Sequence, residues 1–127
     1  MSASKAKGTA AETAVVRFLQ ANGYPHAERR ALAGAQDRGD VAGIPGLVIE
    51  VKDCKRMELA QWVDEAGIEA CQELPVQLRK PPSTPGPMAV APGLVWHKRR
   101  GRGSPGNWYV TMDGWTLLAF LERWTDA

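Results

Sequence analysis

Asp40, Glu50 and Lys52 are the residues whose types and spacing best suit chemistry. Glu50 and Lys52 lie in residues 47–52, Leu-Val-Ile-Glu-Val-Lys, an apolar run broken by one acid and entered through Pro45-Gly46. A run bounded in this way reads as a buried strand entered through a tight turn. Side chains alternate along a strand, so Leu47, Ile49 and Val51 share one face, and Val48, Glu50 and Lys52 share the other. A carboxylate and an ammonium then stand side by side at a strand end. Asp40 begins a second short extended piece, residues 40–44, and pairing the two pieces as a hairpin brings Asp40 near Glu50. Such charges are costly to bury unless something pairs them. One outcome is a structural Glu50–Lys52 ion pair with Asp40 as a turn residue. The other is a site for a hard divalent cation, Mg²⁺ or Mn²⁺, which takes oxygen ligands from one or two carboxylates, waters and phosphates. A bare Glu-x-Lys is too common to decide between them.

These residues need a scaffold, and the rest of the chain supplies its pattern. Residues 9–21 carry Ala11, Ala14, Val15, Phe18 and Leu19 at helical spacing. Asn22-Gly23 ends that helix, and Tyr24-Pro25 prevents its restart. Glu12 borders the apolar stripe, where it either favours the helix dipole or looks along the sheet edge. Residues 26–32 read as an extended piece with Glu28, Arg29 and Arg30, and residues 33–39 as a polar loop containing Asp37, which competes with Asp40 for the acidic role. A second helix fits residues 57–74 through Leu59, Trp62, Val63, Ala66 and Ala70, with Gln61 beside the stripe, placed to touch a phosphate or to be merely solvated. Residues 75–92 are a proline-rich loop with Arg79 and Lys80 at its base. Residues 93–98 and 107–112 read as strands joined by a basic, glycine-rich turn. Asp113 is a good N-cap for a closing helix whose stripe is Leu117, Phe120, Leu121 and Trp124. Helix, three strands, helix, two strands, helix predicts an α/β sandwich: one mixed central sheet flanked by helices.

Composition narrows the class. A chain of 127 residues, 44% hydrophobic and 24% charged, suits a single globular domain. A net charge of +2 is a weak argument for nucleic acid, but Lys98, Arg99, Arg100 and Arg102 cluster within five positions. That cluster is either a phosphate-binding turn or a solubilising hairpin. Cys54 and Cys71 have no metal-ligand spacing, so zinc is not expected, and free thiols in a reducing cytosol are. Neither a signal peptide nor a membrane span is expected.

Gly39-Asp40, ten residues, then Glu50-Val51-Lys52 resembles the PD-(D/E)xK nuclease motif, with Gly39 in place of proline. The element order resembles the core of the restriction-endonuclease-like fold. Lys7-Gly8, Glu12, Val15-Val16, Leu19 and Gly23 resemble the opening helix of archaeal-type Holliday-junction resolvases and their phage relatives. The segment Val95 to Arg100, with Trp108-Tyr109-Val110, resembles the late strands of small phage proteins of this type. The resemblance implies a catalytic set of Glu12, Asp40, Glu50 and Lys52. It implies Mg²⁺ (or Mn²⁺) held by Asp40, Glu50 and the Val51 carbonyl, with Glu12 acting through a water or on a second ion. DNA contacts are implied for Arg29, Arg30, Gln61, Lys98, Arg99, Arg100 and Arg102.

The expected activity is therefore a metal-dependent, structure-selective DNA endonuclease that resolves four-way junctions, acts as a homodimer and leaves a 5′-phosphate and a 3′-hydroxyl. The proline-rich loop, long for the group, leaves the substrate open. Flap, fork or single-strand DNA is the nearest alternative, and a catalytically silent DNA-binding module is the alternative of another class. Trp96 and Trp108 serve either the dimer interface or the core.

Overall fold

Helix α1 spans Ala3–Ala21 and is followed by two short strands, β1 at Glu28–Arg29 and β2 at Val41–Ala42, and then by β3 at Val48–Lys52. Helix α2, Leu59–Gln72, leads to β4 at Gly93–His97. A 3-10 turn at Pro105–Asn107 precedes β5 at Tyr109–Thr111, and α3 at Gly114–Thr125 closes the described chain. This computed structural model describes residues 3–30, 40–44, 47–72 and 93–125. Asp37, Gly39, the Pro45-Gly46 turn and the proline-rich segment with Arg79 and Lys80 lie outside the described residues.

The five strands form one sheet in the order β1-β2-β3-β4-β5. The pairings β1–β2, β2–β3 and β4–β5 are antiparallel, and β3–β4 is parallel with Val48 to Lys52 opposite Gly93 to His97. A parallel pair cannot be closed by a tight hairpin, and the α2-containing segment makes the crossover. The described residues are thus α/β, with a five-stranded mixed sheet and three helices, as the sequence pattern implies.

Period-two alternation sorts β3 as expected. Ile49 and Val51 enter the larger core with Ala11, Val15, Val16 and Leu19 of α1 and Leu94 of β4. On the opposite face Val48 packs on Ala70, and Val95 packs on Trp62 and Ala66 of α2. Burying each such aliphatic side chain contributes about 1.5–3 kcal/mol. Gly93 permits this contact, because a Cβ there would collide with the Ala66 carbonyl and lie 3.3 Å from the Ala70 methyl. At the end of α1, Gly23 takes φ 103° and Tyr24 N–H donates to the Leu19 carbonyl at 3.0 Å, a Schellman closure.

Some expectations need correction. Of the two roles open to the tryptophans, the structure shows the core one: Trp108 is a core residue, and Trp96 packs against that core with its ring edge-on to Phe18 at 5.7 Å. Their indole N–H groups donate to the Pro105 and Arg102 carbonyls, which satisfies their polar edges within the fold. The stripe expected on α3 is displaced. Phe120 faces the core and Thr116 is fully buried, while Leu117 and Leu121 are each 48% exposed. Asp113 does cap the helix, its Oδ1 accepting from Thr116 N–H at 2.8 Å, and this cap fixes the rotation that turns Thr116 inward. Glu69 of α2 is also buried.

Candidate active site

The β2–β3 ladder is short. Its register is the single pair Val41–Ile49, extended by Asp40 N–H donating to the Ile49 carbonyl at 2.9 Å. One step farther along β3, Val51 N–H points the same way and donates to Asp40 Oδ2 at 2.7 Å. A side chain there takes the place of a ladder carbonyl. N–H and C=O of one strand residue point to the same side, so the Val51 carbonyl also faces the Asp40 edge. Glu50 and Lys52 alternate the other way, and the Lys52 carbonyl accepts from Lys98 N–H at 2.9 Å, continuing toward β4.

Where β2 and β3 part, a cleft of about 620 Å³ opens, lined by Lys7, Gly8 and Glu12 of α1, by Asp40, by residues 50–56, and by Glu58 and Trp62. It gathers Glu12, Asp40, Glu50, Val51 and Lys52, residues from three separated parts of the chain. Glu50 is buried, and its Oε1 lies 3.7 Å from Lys52 Nζ. Lys52 is held more closely by Glu65 of α2, with Nζ–Oε2 at 3.3 Å. Glu65 also accepts from the Gln61 amide at 3.1 Å. Burial, the largest single influence on Lys52, pulls its pKa down from 10.5. Glu50, Glu65 and Asp40 together outweigh it, so the pKa is raised and the group stays an ammonium.

The oxygen donors facing the cleft suit a hard cation: the Asp40 and Glu50 carboxylates and the Val51 carbonyl are the donor types that Mg²⁺ and Mn²⁺ select. Glu12 is engaged elsewhere, with its Oε2 accepting from Arg29 Nε at 2.9 Å. Among the described residues no group of three or more His, Cys, Asp or Glu is placed to hold a metal ion. Asp40 and Glu50 are the direct carboxylate candidates, and Glu12, which also lines the cleft, is paired with Arg29.

The residues expected at DNA divide. Arg29 is occupied with Glu12, Arg30 is half-buried, its backbone N–H donating to the Asp40 carbonyl, and Gln61 is tied to Glu65. Lys98 reaches the cleft rim, 3.9 Å from Asp53 and 5.8 Å above the Trp108 ring. The Arg99 guanidinium lies 5.1 Å over Tyr109, and Arg100 and Arg102 are exposed on the turn beyond. Sequence reasoning missed Glu65 as a partner of Lys52, although its four-residue spacing from Gln61 puts both on one face of α2. It also missed the cleft cations Lys55 and Arg56, and missed Asp53, which stands between Lys7 at 3.8 Å and Lys98.

No family model, curated protein or solved structure gives a significant match to the chain. No helix among the described residues is long and apolar enough to cross a membrane.

Proposed function

We propose that the chain is a metal-dependent, structure-selective DNA endonuclease with a restriction-endonuclease-like core, and that four-way junctions are its substrate. The observation that carries the reading is the convergence of Glu12, Asp40, Glu50, Val51 and Lys52 on one cleft. The order α1-β1-β2-β3-α2-β4 around a mixed sheet supports the core assignment.

Asp40, Glu50 and the Val51 carbonyl would hold Mg²⁺ or Mn²⁺, which supplies neutralising charge and a more acidic water at the phosphate. Attack by water forms a new P–O bond as the bond to the 3′ oxygen breaks; the attacking water gives up its proton to solvent and the departing 3′ oxygen takes one from solvent, leaving a 5′-phosphate and a 3′-hydroxyl. Lys52 stays protonated, so it does not take the water's proton. It binds a non-bridging phosphate oxygen and stabilises the charge that develops there. Glu65, itself held by the Gln61 amide, fixes the position of the Lys52 ammonium. The turn from Lys98 to Arg102 binds phosphates beyond the cut, which fixes position without reading sequence.

Symmetric cutting of a junction needs two sites, and a two-fold homodimer supplies them. Trp115, Leu117, Leu118 and Leu121 are exposed on α3 and offer an apolar surface suited to that contact. Incubation with Mg²⁺ and a labelled four-way junction, a flap and a linear duplex tests the reading. Preferential junction cleavage is expected. Cleavage of the flap alone would move the substrate, and no cleavage of any of the three would overturn the assignment.

A further inference from the structure

Gly8 sits inside a 19-residue helix, where glycine costs about 1 kcal/mol relative to alanine. The structural reasons that usually justify such a residue are missing. Its φ is not positive, unlike that of Gly23, Gly43 or Gly101. A Cβ built on it meets no protein atom within 4 Å, in contrast to Gly93, whose missing side chain makes room for α2. The open space in front of Gly8 is the cleft. Beside it is Lys7, 51% exposed and 3.8 Å from Asp53, a surface ion pair weak enough to be exchanged for another anion. The β3–α2 loop contributes two more exposed cations to the same cleft, Lys55 and Arg56.

We infer that Lys7 and Gly8 form a track along which one DNA strand lies, its sugar–phosphate backbone against bare helix at Gly8 and its phosphates held by Lys7, Lys55 and Arg56. The inference rests on the cleft being a DNA site and adds to it residues that the basic turn does not include. Close approach to a backbone is what the absence of a Cβ permits, and flanking cations neutralise the phosphates that approach brings in.

The test is fluorescence anisotropy of a labelled duplex and a labelled four-way junction in EDTA, with thermal unfolding of every variant. Gly8→Ala is expected to melt at or above the wild-type temperature, and a lower melting temperature would show that the space is not open and overturn the track. Gly8→Phe is expected to stay folded and to bind about tenfold more weakly. Gly67→Phe is the control. It also meets nothing within 4 Å but lies on α2, outside the cleft lining, and is expected to keep full affinity. Lys7→Ala and Arg56→Ala are each expected to reduce the slope of log affinity against log salt by about one. They decide the matter if Gly8→Phe unfolds, since unchanged slopes overturn the track. Wild-type affinity in a folded Gly8→Phe overturns the track while leaving the DNA reading standing. A wild-type chain that binds no DNA overturns both.

Discussion

Asp40 Oδ2 accepts a 2.7 Å hydrogen bond from the Val51 N–H. A carboxylate thereby holds the backbone of the strand that carries Glu50 and Lys52 on either side of that bond. Its position, just before β2, is where the sheet opens into the cleft. Asp40 therefore has two separable roles, and substitution can divide them. Asp40→Ala leaves the Val51 N–H without its acceptor and is expected to destabilise the fold by about 1–3 kcal/mol. Asp40→Asn retains an acceptor oxygen and is expected to recover most of that loss in urea unfolding. Both are expected to abolish cleavage, because the amide carries no charge for a cation.

In the proposed mechanism Glu65 positions Lys52 and does not itself contact the phosphate. Glu65→Ala removes its 3.3 Å partner and the anchor of Gln61. The expected result is a fall in kcat of about tenfold with KM nearly unchanged, since the interaction lost matters chiefly in the transition state. Stability should fall by less than about 1 kcal/mol, as for other partly exposed pairs. Steady-state kinetics on the cleaved substrate checks the first result and urea unfolding the second.

His97 makes stability depend on pH. It is buried at the end of β4, its Nε2 is 2.7 Å from Thr111 Oγ1, and Trp62 and Tyr109 flank the ring. Burial lowers its pKa below 6.5, which favours the neutral imidazole. As the pH falls through 6.5 the unfolded chain takes up the proton first. The stabilisation is complete above that pH and is lost progressively below it, toward the lower folded-state value. Urea midpoints measured from pH 7.5 down to about pH 5 should decline, and His97→Gln should flatten the part of the slope due to this residue.

Much of this arrangement is legible in the sequence because period carries it. Alternation in residues 47–52 sorts β3 correctly onto its two cores, and Asp40 falls beside that strand because a short connection forces a hairpin. What fails has a physical cause in each case. The inward face of α3 is set by the Asp113 cap and by burial of Thr116, a polar residue that a hydrophobic stripe does not count. Glu65 looks like one more solvated acid until the parallel β3–β4 pairing lays α2 across Lys52. Lys55 and Arg56 carry no periodic signal, being loop residues placed by the elements on either side.

The exposed apolar residues of α3 bear on assembly. Leu118→Glu together with Leu121→Lys places opposed charges among them without touching the core residues Thr116 and Phe120. Sedimentation equilibrium should give twice the chain mass for wild type and the single-chain mass for the variant, which should still unfold cooperatively but at a temperature that no longer depends on protein concentration. A wild-type monomer at about 100 μM, well above the dissociation constant of a stable dimer, would remove the homodimer from the mechanism.

Single-turnover cleavage of a labelled four-way junction by wild type and by Lys52→Ala, with affinity measured on the same preparations in EDTA, is the most direct test of the cleft as a phosphodiesterase site. The expected result is Mg²⁺-dependent cutting by wild type and a rate at least about 100-fold lower for Lys52→Ala, as for loss of a group that stabilises transition-state charge, with junction affinity within about threefold of wild type. Equal cleavage rates for the two proteins would contradict the assignment.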